Sequence, residues 1–260
     1  MKGKILKSCG MSGKECSAQL ELLGTNSGKS GICWFHGEKD PENFRAVYEN
    51  RTTVLIHGSG KKIKSAEHLS AASLAFPNCE FALQAPQGEL PLLDGSAKPW
   101  KEELNDIVSH CTPANLNFYA PSQKKIEIKM GERFLKFVAG PELEIQYAIS
   151  RFSQTFTATA LIKTAADLEK IFQARTFIFE QELQTAKLSE NLRGCGILLQ
   201  SGKNPDFRFE NEPAYHKILD LLGDISLYSN SLPCGKFTVF NGGHELHHTA
   251  TSALIAGQGS

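Results

Sequence analysis

His216 and Asp220 stand four residues apart in a run, Ala214 to Asp224, where Ile218, Leu219, Leu221 and Leu222 recur at helical spacing. Side chains four apart on a helix share one face, so an imidazole and a carboxylate lie one turn from each other. Asp224 extends that stripe by a further turn. An imidazole and a carboxylate are two of the ligands a catalytic zinc takes. The same spacing also serves a surface pair or a satisfied polar edge, so the pair alone leaves both readings open. A third ligand is required, and His68, beside Glu67 in Ser65-Ala66-Glu67-His68-Leu69, is the candidate. His68, His216 and Asp220 would offer two neutral nitrogens and one carboxylate, with a fourth position for a water that the metal acidifies. Glu67 adjoins a ligand and can reach that water as a general base. A Glu-His pair at a helix start is also a common capping arrangement.

A third cluster is Asn241-Gly242-Gly243-His244-Glu245-Leu246-His247-His248. His244 falls at a predicted helix N-terminus, where backbone N–H groups favour negative charge. It could act as an acid opposite the metal or stabilise an oxyanion. His247 and His248 are rival ligands, and a solvent-facing helix edge is the expectation for both.

These residues need elements to hold them. Residues 1 to about 24 read as strand, turn and strand around Gly10–Lys14, and Gly24 to Gly31 as a polar loop. Short strands follow at Gly31–Phe35, Thr52–Ile56 and Lys62–Lys64. Ser65 to Phe76 reads as a helix with Ser65 as N-cap and Leu69, Ala72 and Phe76 inward. Glu80–Leu83 is a strand, and Lys98 to about Ser109 a helix. Cys111-Thr112-Pro113-Ala114-Asn115 is the best linker, dividing the chain into expected α+β domains at 1–112 and 116–260. The second half opens with strands at Lys125–Lys129, Arg133–Val138, Glu142–Ile149 and Gln154–Thr159. A short helix (Ala165–Phe172), an extended Arg175–Phe179, a helix from Glu180 to about Asn191 and a strand-like run from Gly194 to Lys203 follow. After the His216 helix come a strand at Gly235–Phe240 and a final helix from Gly243 to about Ile255. Strands precede helices in each half. The expected fold is α+β: two similar domains, each a sheet layered with helices.

Composition narrows the classes. The 260 residues are 41% hydrophobic and 22% charged, with a formal net charge of zero. No general electrostatic attraction to nucleic acid or anionic membrane is indicated, so no nucleic-acid partner is expected. No apolar run approaches the length of a membrane span, and the N-terminus lacks an apolar signal core. A cytoplasmic, monomeric protein with no transmembrane segment is expected. Seven cysteines at wide spacing, with no C-x-x-C pair, suggest reduced thiols rather than disulfides or a thiolate metal knot.

Five stretches carry a resemblance. They are Lys64–Ala72, Leu93-Asp94-Gly95-Ser96-Ala97, Arg175-Thr176-Phe177, Phe209-Glu210-Asn211-Glu212 through His216-Lys217-Ile218-Leu219-Asp220-Leu221-Leu222-Gly223-Asp224, and Gly243-His244. In this order they resemble the UDP-3-O-acyl-N-acetylglucosamine deacetylases (the LpxC family), zinc amidases of lipid A synthesis. The resemblance implies an active site in the cleft between two domains, with zinc on His68, His216 and Asp220. It makes Glu67 the general base, His244 the general acid and Asp224 the carboxylate that holds His244. Thr176 would stabilise the oxyanion, and Lys217 and Phe177 would contact a UDP-linked acylated amino sugar.

The chain departs from the family pattern at Met11, at Ile178 and in His244-Glu245-Leu246-His247-His248, where a His-Ala-Leu-Asn-Asn run is usual. The family also carries a βαβ insert before the His216 helix, whose apolar second strand lines a passage for the acyl chain. The stretch from Gly196 to Asp206 reads as shorter, with no second apolar strand. Two alternatives follow: a deacetylase for a shorter-acyl or other UDP-amino sugar, and a nucleotide-sugar-binding homologue without turnover.

Overall fold

The computed structural model describes residues 2–25, 31–34, 44–49, 52–108, 115–183, 195–229 and 231–256. Strands β1 (Lys2–Cys9), β2 (Glu15–Thr25), β3 (Gly31–Trp34) and β7 (Cys79–Gln84) form a mixed sheet in the order β1-β2-β7-β3. Only the β3–β7 pair is parallel. Alternation in β2 buries Cys16, Ala18 and Leu20 and turns Glu15 and Glu21 outward. Strands β4 (Phe44–Glu49), β5 (Thr52–His57) and β6 (Lys62–Lys64) make a separate antiparallel sheet.

The second half holds a five-stranded sheet in the order β12-β11-β16-β10-β9. Its members are β9 (Lys125–Met130), β10 (Arg133–Ala139), β11 (Leu143–Arg151), β12 (Gln154–Ile162) and β16 (Gly235–Phe240). Here β11 and β16 run parallel and the other pairs antiparallel. Period-two alternation puts Leu143, Ile145, Tyr147 and Ile149 of β11 on the buried face, beside Phe137 and Phe237, which are register partners. Helices lie on that face. Both halves are therefore α+β, each a mixed sheet layered with helices. Among the described residues no helix is long and apolar enough to cross a membrane.

Two helices join the halves. Every residue of α1 (Glu67–Ser73) is buried. It packs on α4 (Glu212–Ser226) through small side chains: Ser70 and Ser226 share a hydroxyl–hydroxyl bond of 2.6 Å. A Cβ at Gly223 would lie 2.1 Å from the carbonyl oxygen of Glu67. That approach requires glycine, and it brings the Glu67-His68 turn against the His216 helix. Buried residues of both halves form one continuous apolar cluster. The other α-helices among the described residues are α2 (Lys98–Ile107), α3 (Glu169–Phe172) and α5 (His244–Ala256).

The structure corrects several expectations. Ser65 is not the N-cap; Ala66 holds that position with no side-chain cap. Ser65 has φ of 60°, outside the extended region a capping side chain uses, and its N–H donates to the Thr53 carbonyl. The helix ends at Ser73, and Phe76 is only partly buried. Helix α4 starts at Glu212, two residues early, because Pro213 suits a first turn, where its missing N–H costs nothing. Strand β4 was not anticipated, nor were β8 (Phe118–Tyr119) and β15 (Leu232–Pro233), a parallel pair too short to show alternation.

The acyl insert also differs from expectation. Strands β13 (Phe177–Phe179) and β14 (Ile197–Leu199) pair in parallel, so a second apolar strand is present. The strand-like run expected from Gly194 to Lys203 is a strand over Ile197–Leu199 alone, and three residues were too few to reveal it as the partner of Phe177–Phe179. Of the helix expected from Glu180 to Asn191, Glu180–Glu182 form a 3-10 turn, and residues 184–191 lie outside the described residues. So do residues 111–114 of the expected linker, residues 26–30 of the polar loop and Phe35.

Candidate metal centre and acid–base pair

Helix α4 presents His216, Asp220 and Asp224 along one buried stripe. His68 arrives from α1. Its Nε2 and that of His216 each lie 3.4 Å from Oδ1 of Asp220. The two rings meet edge to face at 5.0 Å between centroids. The three candidate ligands thus gather across nearly 150 residues of sequence, and their ligand atoms lie within 4.8 Å of one another. Nδ1 of His216 donates to the Ala174 carbonyl at 3.1 Å, which leaves Nε2 as the free nitrogen facing Asp220. Burial pushes His216 down to about 3, against the pull of Asp220, so the ring is neutral and suited to a metal. Burial resists charge on Asp220, but neighbouring His216 and Lys217 hold the carboxyl well below its usual range.

Glu67 is buried beside these groups, and its Oε2 has no hydrogen-bond partner. A buried carboxylate oxygen without a donor is costly. Burial raises the Glu67 pKa, offset in part by His244 and His68. Raising a carboxyl toward neutrality is what a general base working near pH 7 requires.

His244 opens α5 after the Gly242-Gly243 approach. Its Nδ1 donates to Oδ2 of Asp224 at 2.8 Å. Burial acts to lower the His244 pKa, but the Asp224 charge and this bond push it up to about 9. Asp224 shows the opposite balance: burial disfavours its charge, and His244 and its hydrogen-bond donors hold it far below the usual range. A carboxylate that keeps an imidazole protonated is the arrangement of a general acid.

Thr176 is pinned by its backbone. Its N–H donates to the Gly95 carbonyl at 2.6 Å, and its carbonyl accepts from Ile197 at 2.8 Å. Gly95 has φ of 83°, and a Cβ there would meet the Cys195 carbonyl at 2.2 Å. Next to Thr176, Arg175 donates from its backbone and guanidinium to buried Glu212 at the start of α4. Arg208 ties Asp94 of the Gly95 turn to the same region. Phe177 meets the His216 ring at 6.1 Å, and Lys217 Nζ lies 5.5 Å over the Phe177 ring and 2.7 Å from Oδ2 of Asp220.

Three groups escaped the sequence reading or contradicted it. His247 and His248 are buried rather than solvent-facing. His247 bonds Asp224 and Tyr147, and His248 bonds Thr53 and Tyr228. Thr53, from β5, donates to Oδ1 of Asp224 at 2.6 Å. A β-branched residue in a strand gives no sign of such a role. Tyr147 did carry a signal: a tyrosine on the inward register of a strand needs a partner for its hydroxyl.

A buried pair of imidazole nitrogens facing one carboxylate, flanked by a second buried carboxyl and an imidazole held by its own carboxylate, is the kind of side-chain set that metal-dependent hydrolases use as a class. Comparison with known proteins narrows this further. The chain belongs to the LpxC family, since the model of the UDP-3-O-acyl N-acetylglycosamine deacetylases matches residues 8–256. Its relatives include proteins named UDP-3-O-acyl-N-acetylglucosamine deacetylase. The one from Wolinella succinogenes is 30% identical over 256 residues, covering 91% of this chain and 82% of the relative. That from Nautilia profundicola is 29% identical over 241 residues, covering 87% and 81%. A third, from Thermosynechococcus vestitus, is 28% identical over 228 residues, covering 82% and 77%.

Proposed function

We propose that this protein is a zinc-dependent deacetylase that hydrolyses the N-acetyl group of UDP-3-O-acyl-N-acetylglucosamine, a step of lipid A biosynthesis. The observation that carries the reading is the convergence of His68 and His216 on Asp220 beside the unpartnered oxygen of Glu67. The donor set fits zinc: two imidazole nitrogens and one carboxylate, with the His216 ring oriented by the Ala174 carbonyl. His68, His216 and Asp220 would hold the ion, which when bound polarises the amide carbonyl and lowers the pKa of water. Glu67 takes the proton of the attacking water as its oxygen bonds to the acetyl carbon. Thr176 donates its hydroxyl to the developing oxyanion. His244, kept protonated by Asp224, gives its proton to the sugar nitrogen as the C–N bond breaks. Acetate and a free amine leave. Lys217 and Phe177 contact the substrate at the rim.

A long acyl chain is favoured over the shorter-acyl alternative. The β13–β14 pair supplies the apolar second strand that was expected to be missing, with Phe177 and Phe179 on one face and Leu198 on the other. Leu198, and separately Phe152, whose ring meets that of buried Phe179 at 5.3 Å, are exposed apolar side chains.

A product-mass assay tests the reading. Zinc-loaded protein is incubated with UDP-3-O-(3-hydroxyacyl)-N-acetylglucosamine beside a Glu67→Ala control. Loss of an acetyl group in the wild type alone is the expected result. An untouched substrate with zinc bound would sink the proposal and leave a nucleotide-sugar-binding protein.

A further inference from the structure

Asp224 is entirely buried, and its two oxygens are claimed from two directions. Oδ1 accepts from the Thr53 hydroxyl at 2.6 Å. Oδ2 takes two imidazoles at once, with His244 Nδ1 and His247 Nδ1 both at 2.8 Å. A carboxylate only accepts, so both Nδ1 atoms carry protons. His244 and His247 are three apart on α5, which places them on one face, over one oxygen.

The two rings play different parts. His247 Nε2 faces the Tyr147 hydroxyl at 2.9 Å, and Tyr147 is itself buried on β11. With Nδ1 protonated, Nε2 accepts the Tyr147 proton, so the His247 ring is neutral and held at both ends. Burial, which lowers the His247 pKa, favours the same neutral form. The Tyr147 hydroxyl cannot shift toward the chain, because Gly242 is packed against it: a Cβ there would lie 2.4 Å from the oxygen. On the other side, Thr53 donates to Asp224 and accepts from His248 Nε2 at 2.9 Å. Asp224 therefore sits in a frame running from β11 through α5 to β5.

We propose that His247 is a positioning residue for the reaction: its Nδ1–H anchors Oδ2 of Asp224, and through that carboxylate it fixes the aim of the His244 ring. The inference rests on the deacetylase reading, in which His244 is the acid. Without the His247 bond, Oδ2 keeps one donor, the His244 ring itself, whose Nδ1 also lies 3.2 Å from the Thr53 hydroxyl. The carboxylate is then held firmly only at Oδ1, by Thr53, and Oδ2 can swing and take His244 with it. Misplacement of a reacting group by about 1 Å lowers turnover roughly 100-fold. Neutral His247 also adds no positive charge to compete with His244 for Asp224.

Three substitutions separate the two ends of the ring. His247→Asn puts an amide nitrogen near the place of Nδ1 and drops the Tyr147 link. His247→Gln reaches the place of Nε2 and drops the Asp224 link. His247→Phe drops both. With zinc content and thermal unfolding checked for each, His247→Gln and His247→Phe should lower kcat roughly 10- to 100-fold while KM stays within about twofold. His247→Asn should keep kcat within about threefold of wild type. Equal losses in His247→Asn and His247→Gln, or a folded His247→Gln with wild-type kcat, would overturn the proposal.

A second readout does not depend on turnover. The imidazole N–H protons bonded to Asp224 give far-downfield proton NMR signals. The His244 signal should broaden or vanish in His247→Gln and His247→Phe and persist in His247→Asn. A His244 signal unchanged in all three refutes the anchoring role, even if wild-type protein releases no acetate and the deacetylase reading has itself failed.

Discussion

At the residue scale the site works by setting two protonation states against each other. His244 is raised from the ordinary 6.5 to about 9, while burial raises Glu67 above its ordinary value. A raised histidine pKa means the folded state binds the proton more tightly. The stability this contributes is complete below 6.5 and is lost as pH rises from there through about 9. Turnover that needs the His244 proton should therefore have an alkaline limb. In the metal-free protein, imidazole NMR should show His244 titrating near 9, and Asp224→Asn should lower that value, since burial then acts with less opposition. A ring that titrates unchanged in Asp224→Asn would refute the pairing. Because Asp220 also helps to raise His244, a dication bound to Asp220 should move the alkaline limb of kcat/KM below the metal-free value. Both candidate acid–base residues were legible in the sequence. Their pKa values were not, because burial and the Asp224 bond depend on neighbours distant in the chain.

At the element scale, helix contacts decide where these residues stand. Gly223→Ala would drive a methyl group into the Glu67 carbonyl where α1 crosses α4. Overpacking of this kind costs about 1–3 kcal/mol, and here it falls on backbone that has little room to yield. Denaturant unfolding should register the loss, and zinc affinity should fall because His68 is pushed from His216. Glu212 is the other junction. It accepts from the Arg175 backbone, the Arg175 guanidinium and the Arg208 backbone, and is itself buried. Glu212→Ala leaves the backbone and guanidinium donors of Arg175 without their acceptor, a loss of about 1–3 kcal/mol where the donor is buried, so the variant should be destabilised in thermal unfolding. Helix α4 was readable from its periodicity and its Pro213. The crossing was not, since Gly223 in isolation resembles any helical glycine.

At the scale of the whole molecule, the proposed function depends on the β13–β14 pair beside the candidate metal centre. If the β13–β14 pair receives the acyl chain, kcat/KM should rise with acyl length. Leu198→Asp should flatten that rise and leave the shortest substrates nearly unaffected. Wild-type activity independent of chain length would favour the shorter-acyl alternative. Thr53 from β5 and the Tyr228 hydroxyl, which donates to the Ala46 carbonyl of β4, fasten the three-stranded sheet to the helices around Asp224. That sheet therefore buttresses Asp224 and the candidate acid it holds.

Patterns local in sequence determined much of this protein. Alternation marked strands of the two larger sheets, 3.6-residue periodicity set the His216 helix, and residue chemistry named the candidate ligands, base and acid. Only the tertiary structure decided what depends on long-range packing. It brought His68 to His216, buried His247 and His248 against Asp224, and paired Ile197–Leu199 with Phe177–Phe179. The physical reason is range: backbone propensity acts over a few residues, whereas burial, hydrogen-bond closure and strand pairing depend on which distant segments the fold brings into contact.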